Sequence, residues 1–310
     1  MLGRALAAVP GRREKVVIAS KFGKHSGEEQ VRYGDAEIRA ALSESLRCLQ
    51  TTWIDYYQVH WPGNVNDVDE VCETLEALKA EGAIKAYGFC NFGAGDMEVW
   101  RKAVGKAQLM QKPPAACEGG PKCDAAAPGT AKLHANQLPY NLLWRAVEDG
   151  VVPFMQEAGC GLLAYSPLQQ GLLSGKFESS HQVPEGRRRT RHFKGDSTSM
   201  SRHGQDGCED QLWAAVASLR TVCGEPGCGG SAVDMAAGAV AWLLAQPTVV
   251  SVIVGASSPD QVRRNAALVD LTPEQLAEMT AVTEALRITL GPNPDMWAKV
   301  SRVDTLGLAK

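Results

Sequence analysis

The stretch that decides the fold is Ile54-Asp-Tyr-Tyr-Gln-Val-His-Trp-Pro62. Residues 54–59 are rich in β-branched and aromatic side chains, which predicts a short strand. Pro62 cannot continue a ladder of backbone hydrogen bonds, so the strand should end near His60. In a barrel of parallel strands, catalytic side chains lie at the carboxyl ends of the strands. A histidine there can donate to a substrate carbonyl or move a proton near neutral pH, although a lone histidine at a strand end is more often structural.

The composition is that of an ordinary globular protein. The 310 residues are 45% apolar and 22% charged, which is enough for one large core or two smaller ones. A net charge of −3 gives no field that would attract nucleic acid or an anionic membrane. The longest apolar run, residues 232–245, contains Asp234 and is too short to span a bilayer. We therefore expect neither nucleic acid nor a membrane among the partners.

The nine cysteines predict a reducing compartment, because their odd number and scattered positions do not suit a disulfide framework. Two pairs, Cys117 with Cys123 and Cys223 with Cys228, are spaced too widely for a zinc knuckle and lie in loops rich in Gly and Pro. We predict no metal site. We also expect a cytoplasmic protein, with a plastid protein stripped of its transit peptide left open.

Apolar runs alternate with helical stripes along the chain. The predicted strands are residues 16–20, 54–59, 84–89, 133–137, 161–165 and 249–254. Helices separate or follow them, among them residues 231–245 and 273–286, and this alternation requires parallel strands joined by right-handed crossovers. Residues 111–132, rich in Pro, Gly and Ala, are interpreted as a flexible surface insertion within a single domain of residues 1–310.

A barrel is favoured over a doubly wound sheet. A Rossmann domain would carry Gly-x-Gly-x-x-Gly between its first strand and helix, but the nearest match, residues 159–164, precedes a strand. Residues 171–177, Gly-Leu-Leu-Ser-Gly-Lys-Phe, resemble a phosphate loop that is one residue short and lacks the Ser or Thr that would hold magnesium. Neither nucleotide-binding signature is met.

Six segments follow the predicted strands in one order along nearly the whole chain. They are Val17–Phe22, Asp55–Pro62, Tyr87–Phe92, Asn136–Leu142, Ala164–Leu168 running on to Lys176-Phe177, and Gly255–Gln261 running on to Asn265. Together they resemble the aldo-keto reductase family, whose members are (β/α)8 TIM-barrel enzymes that use NADPH. No single segment is decisive, but six in register are highly specific.

The resemblance implies roles for residues at the nicotinamide end of such a site. Lys21 and His60 resemble two of the family's four catalytic residues. Asn91 and Gln137 resemble the clamp on the nicotinamide carboxamide, and Tyr165 resembles the aromatic platform under the nicotinamide ring. We expect these five side chains to gather at one rim of a barrel. Trp61 and Trp297 are candidates for a substrate pocket, with a structural role equally open.

The resemblance also implies contacts to the phosphates of the cofactor. The residues that match pyrophosphate contacts are Ser166, Leu168 and Lys176. The residues that match the adenosine-phosphate site are Gly255, Ser257, Gln261 and Asn265. Arg187 or a neighbour, and Arg263 or Arg264, are candidates for phosphate binding because guanidinium suits bidentate contacts. The Arg-rich run at 187–191 could equally be an ordinary solvated loop.

The chain departs from the family pattern at its beginning. The family's catalytic Asp and Tyr belong to a segment that precedes the residues matching 1–6, and six strands are predicted where a barrel has eight. We therefore expect an incomplete barrel without the first two strands and the first helix. Tyr33 and Asp35 lie in the wrong loop to replace the missing pair, and Asp55 and Tyr56 lie at the wrong end of their strand. An incomplete gene model or transcript would explain this, as would a chain that has kept only a cofactor cleft.

Two functions follow from the resemblance. The first is NADPH-dependent reduction of an aldehyde or ketone to an alcohol, slowed by loss of the tyrosine acid, since a positioned acid or base contributes about 10²–10⁴-fold. The alternative is a catalytically impaired relative that senses nucleotide or binds a protein partner. The sequence leaves the substrate and the oligomeric state open.

Overall fold

The computed structural model describes residues 1–23, 25–26, 29–30, 32–110, 134–224 and 233–306. The insertion predicted at 111–132 lies outside the described residues, as do three of the four cysteines considered for zinc, Cys117, Cys123 and Cys228.

The described residues form eight strands. They are β1 Ala19–Phe22, β2 His25–Ser26, β3 Glu29–Gln30, β4 Ile54–Val59, β5 Ile84–Cys90, β6 Ala135–Pro139, β7 Gly161–Tyr165 and β8 Val249–Ile253. The described α-helices are α1 Leu2–Ala7, α2 Asp35–Leu49, α3 Val68–Ala80, α4 Ala94–Met110, α5 Val151–Glu157, α6 Glu209–Cys223, α7 Met235–Leu244, α8 Pro259–Ala266, α9 Pro273–Val282 and α10 Glu284–Leu290.

Six strands form one parallel sheet in the order β1-β4-β5-β6-β7-β8, and β2 pairs with β3 in a separate antiparallel ribbon. Lys21 of β1 lies opposite Gln58 of β4, and Val59 of β4 lies opposite Phe89 of β5. Among the described strands β1 and β8 are the edges, so the sheet is open. This topology confirms the predicted α/β fold with six strands of the barrel kind.

Strand bounds match the predictions best where the apolar run is bracketed by turn residues. The bounds of β4 and β7 are those predicted. The first strand was predicted from Val16, but β1 begins at Ala19. Val17 is 82% exposed, and the amide of Ile18 donates to the Asp55 carboxylate at 2.9 Å, so this end of the run is held by a side chain.

Three helices also differ from the predictions, each for a local reason. Helix α1 lacked a sequence signal and was not predicted. Helix α7 begins at Met235, later than expected, because the Asp234 carboxylate accepts from the amide of Ala237 at 2.9 Å and caps the helix there. The helix predicted at 273–286 is two helices, α9 and α10, which meet at Thr283.

The chain divides into two compact units. Unit 1 comprises Met1–Asn136, Ala158–Cys160 and Val303–Lys310, and unit 2 comprises Gln137–Glu157 and Gly161–Arg302. The assignment of residues 1–310 to a single domain stays a prediction.

The core of unit 1 lies between its strands and helices α3 and α4. Ile54 and Ile84 are fully buried. The ring of Phe89 stacks on that of Phe92 with centroids 4.8 Å apart, and Trp100 of α4 meets Phe92 edge-on at 5.6 Å. Aromatic pairs of this geometry add about 0.5–1.5 kcal/mol to the stabilisation from burial. The packing fixes the end of β5, where Asn91 follows.

The core of unit 2 is formed by β7 and helices α6, α7 and α9. Leu162, Leu212 and Met279 are completely buried. The indole of Trp242 in α7 is also buried, and its Nε1 donates to the hydroxyl of Thr280 at 2.9 Å. This core supports the loops that follow β7 and β8, which carry most of the predicted cofactor residues.

Candidate active site

Three predicted site residues lie close together at the strand ends of unit 1. The backbone amide of His60 donates to the carbonyl of Phe22, one residue after Lys21, at 3.0 Å. The side-chain Nδ2 of Asn91 donates to the carbonyl of His60 at 3.1 Å. Parallel neighbours end at the same edge of a sheet, so β1, β4 and β5 place Lys21, His60 and Asn91 side by side.

The imidazole of His60 is half-buried and oriented by the backbone. Its Nδ1 lies 3.1 Å from the carbonyl oxygen of Gly23, which can only accept, so Nδ1 carries a proton. Burial, and secondarily the nearby charge of Lys21, lowers the pKa of His60 below its ordinary value. In the neutral ring Nε2 is therefore an acceptor, and it becomes a donor only when His60 is protonated.

The backbone at Asn91 is in the left-handed region, with φ of +61°. Asparagine tolerates this conformation better than most residues, and such conformations concentrate at functional sites. Asn91 is 3% exposed, and its Nδ2 also approaches the thiol of Cys90 at 3.2 Å. Burial raises the pKa of that thiol to about 12, so Cys90 is a neutral neighbour.

The loop after Asn91 is clasped by residues from the C-terminal part of unit 1. The amide of Asp96 donates to the Asp304 carboxylate at 3.1 Å, while the amide of Asp304 donates to the Asp96 carboxylate at 2.5 Å. The amides of Leu306 and Gly93 also donate to Asp96, at 2.8 and 3.1 Å. Burial, with a contribution from the Asp304 charge, raises the pKa of Asp96 from 3.8 to about 6.

This raised pKa makes a prediction for stability. Because the folded protein holds the Asp96 proton more tightly than the unfolded chain, the free energy of unfolding should decrease as pH rises from about 4 to about 6. In Asp96→Asn that contribution is absent, and the wild-type protein should lose about 2 kcal/mol relative to the variant across this range. Urea unfolding of both proteins at several pH values measures the difference. Parallel pH profiles would contradict the assignment.

The tyrosines and acids that were weighed as replacements for the missing pair have structural contacts. The hydroxyl of Tyr56 donates to the carbonyl of Ala135 at 2.7 Å, and burial raises the pKa of Tyr56. Asp55 pairs with Arg13 at 2.7 Å. Asp35 is the first residue of α2 and pairs with Arg39 at 2.9 Å. These contacts give Asp35, Asp55 and Tyr56 structural partners, and the absence of a replacement acid stays a prediction.

Unit 2 contains a cleft of about 860 Å³. Nine of the residues predicted to bind the cofactor line it: Ser166, Leu168, Lys176, Arg187, Gly255, Ser257, Gln261, Arg264 and Asn265. They come from the loop after β7, the loop after β8 and helix α8. The structure therefore brings together residues separated by up to a hundred positions in the sequence, and their role in binding stays a prediction.

The residues around the start of α8 are joined by hydrogen bonds. The amide and hydroxyl of Ser257 donate to Oε1 of Gln261 at 2.7 and 3.0 Å. The side-chain Nδ2 of Asn265 donates to the carbonyl of Gly255 at 3.2 Å. These bonds fix the loop after β8 against the helix, so its polar groups are preorganised for a ligand.

The charge of the cleft suits phosphates. The lining contains three cations, Lys176, Arg187 and Arg264, and one carboxylate, that of Asp234. Arg263, the alternative to Arg264, does not line the cleft; it is exposed and pairs with Asp260 at 2.6 Å. A net positive cleft with backbone amides at a helix start is the environment that dinucleotide phosphates require.

Two predicted residues of unit 2 are outside the lining of this cleft. They are Gln137, which is 8% exposed in β6, and Tyr165, the last residue of β7. Tyr165 directly precedes Ser166, whose φ of +55° turns the chain sharply into the cleft. The joint arrangement of Lys21, His60, Asn91, Gln137 and Tyr165 around one nicotinamide stays a prediction.

Several residues of the cleft were not predicted from the sequence. Gln170, Gly171, Ser174 and Asp234 line it, yet none was predicted to bind. Gly171 and Ser174 belong to the segment that failed as a phosphate loop, so that weak resemblance was the available signal. Asp234 could have been found as the polar residue before an apolar helix, the usual sign of a cap.

Within the described ranges no helix is long and apolar enough to cross a membrane. The described side chains also contain no group of three or more His, Cys, Asp or Glu residues that could hold a metal ion.

Comparison with known proteins gives a consistent result. The model of the aldo/keto reductase family matches residues 1–284. Aldo-keto reductase YhdN of Bacillus subtilis is 29% identical over 266 residues, covering 84% of this chain and 67% of the relative. The NADH-specific methylglyoxal reductase of Escherichia coli is 27% identical over 308 residues, covering 92% and 79%.

A solved structure supports the same assignment. The glycerol dehydrogenase of Gluconobacter oxydans matches with a TM-score of 0.66 at 26% identity, over 95% of this chain and 78% of that one. The open parallel sheet is therefore of the (β/α)8-barrel type. The family model spans more than half of the sequence, and the matched strands carry the motifs at their carboxyl ends. The chain belongs to the aldo/keto reductase family.

Proposed function

We propose that this protein is an NADP(H)-dependent oxidoreductase that reduces an aldehyde or ketone to an alcohol. The observation that carries the proposal is the cleft of unit 2, where nine matched residues and three cations converge. Its volume lies within the range of cofactor sites. The proposed compartment is the cytoplasm.

The residues of the cleft would hold the phosphates and the adenosine of the cofactor. Lys176 and Arg187 supply charge for the pyrophosphate, and the polar groups around Ser257 and Gln261 hold the adenosine end. When bound, NADPH supplies a hydride for the carbonyl carbon. The protein must then place a donor at the carbonyl oxygen. His60 is the proposed donor, through Nε2.

Arg264 is the proposed contact for the phosphate that distinguishes NADPH from NADH. Its guanidinium lines the cleft and has no carboxylate partner among the ion pairs of the described residues. The Escherichia coli relative is named as NADH-specific, so the preference differs within the family.

A variant of Arg264 tests this preference. Arg264→Ala should weaken NADPH binding by about tenfold or more and leave NADH binding nearly unchanged, because a charge-assisted bond to one phosphate is lost. Cofactor fluorescence titration measures both. Arg263→Ala is the matched control, since the adjacent guanidinium is exposed and paired with Asp260. If Arg264→Ala weakens the binding of NADPH and NADH equally, Arg264 does not contact the phosphate that distinguishes the two cofactors.

The activity itself is tested by two measurements on the same protein. A fluorescence titration with NADPH measures binding, and a turnover assay with a reactive aldehyde measures reduction. Binding together with turnover is expected. Failure of NADPH to bind would overturn the proposal.

A second candidate function is a nucleotide-binding relative with impaired catalysis. It is favoured by the contacts of three described tyrosines, since the hydroxyls of Tyr56, Tyr87 and Tyr140 are bound to Ala135, Glu76 and Glu148. NADPH binding without turnover would support this second function.

A further inference from the structure

The Arg-rich run and residues 293–298 of the C-terminal part of unit 2 lie against each other. The amide of Arg191 donates to the carbonyl of Met296 at 3.0 Å. Arg202 pairs with Ala298 in an isolated parallel bridge. The guanidinium of Arg189 lies over the indole of Trp297, 5.0 Å from the ring centroid. The Arg-rich run is therefore packed against residues 293–298 of the same chain.

The arginines of this region divide into two groups by their partners. Arg191 is 8% exposed and donates to Oε1 of Gln205 and to the carbonyls of Asn293 and Leu290. Arg302 forms an ion pair with the buried carboxylate of Asp295 at 2.6 Å. These two arginines have the contacts expected of structural cations.

Arg188 and Arg189 lack such partners. The Nε of each is closed to solvent and has no hydrogen-bond acceptor, and neither guanidinium has a carboxylate partner among the described ion pairs. The hydroxyl of Ser201, one residue before the bridge to Ala298, is also buried without a partner. Buried donors without acceptors are uncommon, and three of them between positions 188 and 201 of one loop indicate a place for an acceptor.

The Nη end of the Arg189 guanidinium is the part that a ligand can reach. Its carbon lies over the Trp297 ring and its Nε is closed to solvent, so the two Nη groups are the donors that stay available. Those donors match the two oxygens of a carboxylate or phosphate. Because the Trp297 ring covers the guanidinium of Arg189, a ligand bound there should change the surroundings of the indole.

Hydrogen bonds connect this place to the end of β7. Gln169, which is fully buried, directs its Nε2 toward the sulfur of Met296 at 3.9 Å. Its Oε1 accepts from Nδ2 of Asn141 at 2.7 Å, and the same Nδ2 reaches the carbonyl of Ser166 at 2.9 Å. Trp297 follows Met296 directly. These bonds connect the segment that carries Trp297 to the residues that follow β7.

We propose that Arg188, Arg189 and Trp297 form a subsite for an anionic group on the substrate, so that the protein prefers aldehydes or ketones that carry a carboxylate or a phosphate. The inference rests on the proposed reductase function for its substrate class. The anion is bound by the guanidinium of Arg189, with Arg188 and the Ser201 hydroxyl as further donors.

Matched pairs of substrates test the subsite. The first pair is 4-carboxybenzaldehyde and methyl 4-formylbenzoate, and the second is glyceraldehyde 3-phosphate and glyceraldehyde. The variant is Arg189→Gln, which keeps a polar side chain and removes the positive charge. Its KM for the two anionic aldehydes should rise about tenfold, with KM for the neutral partners within about twofold and kcat unchanged. An effect on one anion alone identifies it as the group that is bound.

Arg202→Gln is the matched control, because Arg202 is exposed in the same segment. It should leave all four KM values unchanged. If Arg189→Gln does not fold, as judged by its thermal unfolding, Arg188→Gln takes its place in the same comparison. A rise in KM shared by charged and neutral aldehydes would show a structural role and overturn the subsite.

Equilibrium binding separates this inference from the proposed function. Titration of the wild-type protein with 4-carboxybenzaldehyde or glyceraldehyde 3-phosphate should change tryptophan fluorescence, and Trp297→Phe should remove most of the change. If the protein turns over none of the aldehydes yet binds an anionic one in this way, the reductase function fails and the anion site stands. If neither anionic aldehyde changes the fluorescence or binds more tightly than its neutral partner, the anion site is wrong.

Discussion

Replacing Gly88 with alanine should lower the free energy of unfolding by about 3 kcal/mol, because the new methyl group has no space in the sheet. A Cβ at this position in β5 would overlap the hydroxyl of Tyr56 and lie 2.6 Å from the carbonyl oxygen of Ala135. The hydroxyl and that carbonyl are hydrogen-bonded to each other, so relieving the overlap also breaks a buried bond. Either the Tyr56 ring or the backbone of β6 must move.

Urea unfolding measures the effect, and Gly105→Ala is the matched control. Gly105 lies within α4, and a Cβ there would meet nothing within 4 Å. Alanine should therefore raise the stability at this position by about 0.5–1 kcal/mol. Adding Tyr56→Leu to Gly88→Ala should recover part of the lost stability, since it removes one of the two overlaps. Equal stabilities for Gly88→Ala and the wild-type protein would show that Tyr56 does not cross β5 at this point.

Removing the imidazole of His60 should lower kcat/KM for carbonyl reduction by about 10²–10⁴-fold, the usual contribution of a positioned proton donor. The reason is local geometry. The Nδ1 proton is bound to the carbonyl of Gly23, so Nε2 can donate to a substrate only in the imidazolium form. Since burial and Lys21 lower the pKa of His60, that form is present only at acid pH.

The same geometry gives the reaction a pH dependence with a defined sign. Reduction should be fastest below the lowered pKa of His60 and should fall about tenfold per pH unit above it, as the donor is lost. Alcohol oxidation, which needs the neutral ring as an acceptor, should change in the opposite direction. Steady-state kinetics of the wild-type protein and His60→Ala between pH 5 and about 8 measure both effects.

The exposed His181 supplies a control for His60. His181→Ala should keep the rate and the pH profile of the wild-type protein. A His60→Ala variant that keeps the pH profile would assign the titration to another group.

Much of the fold could be predicted from local patterns. The strand at 54–59 was correct to the residue, because its β-branched and aromatic run is followed by a proline that cannot pair. The strand at 161–165 was correct for a similar reason, with a glycine at its start. Val16 and Val17 misled the prediction of β1, because an apolar run does not reveal that Ile18 will bind the Asp55 side chain.

The candidate site was predictable only as a set of residues in order. Family motifs identified nine residues that the structure gathers in one cleft. Helix periodicity could not have grouped these residues, because they come from three different segments. The choice between Arg263 and Arg264 could not be made from the sequence. It depends on which side of α8 faces the cleft, and the two neighbours point in different directions.

The sequence by itself determined the alternation of strands and helices, the α/β class, and the family motifs at the strand ends. Each of these features depends on the pattern of residues that are only a few positions apart. Only the tertiary structure decided that Asp96 meets Asp304, 208 residues away, that Tyr56 requires a glycine at position 88, and that Arg189 rests on Trp297. Such contacts depend on strand order and on the paths of loops, and local patterns do not encode which distant segments the folded chain brings together.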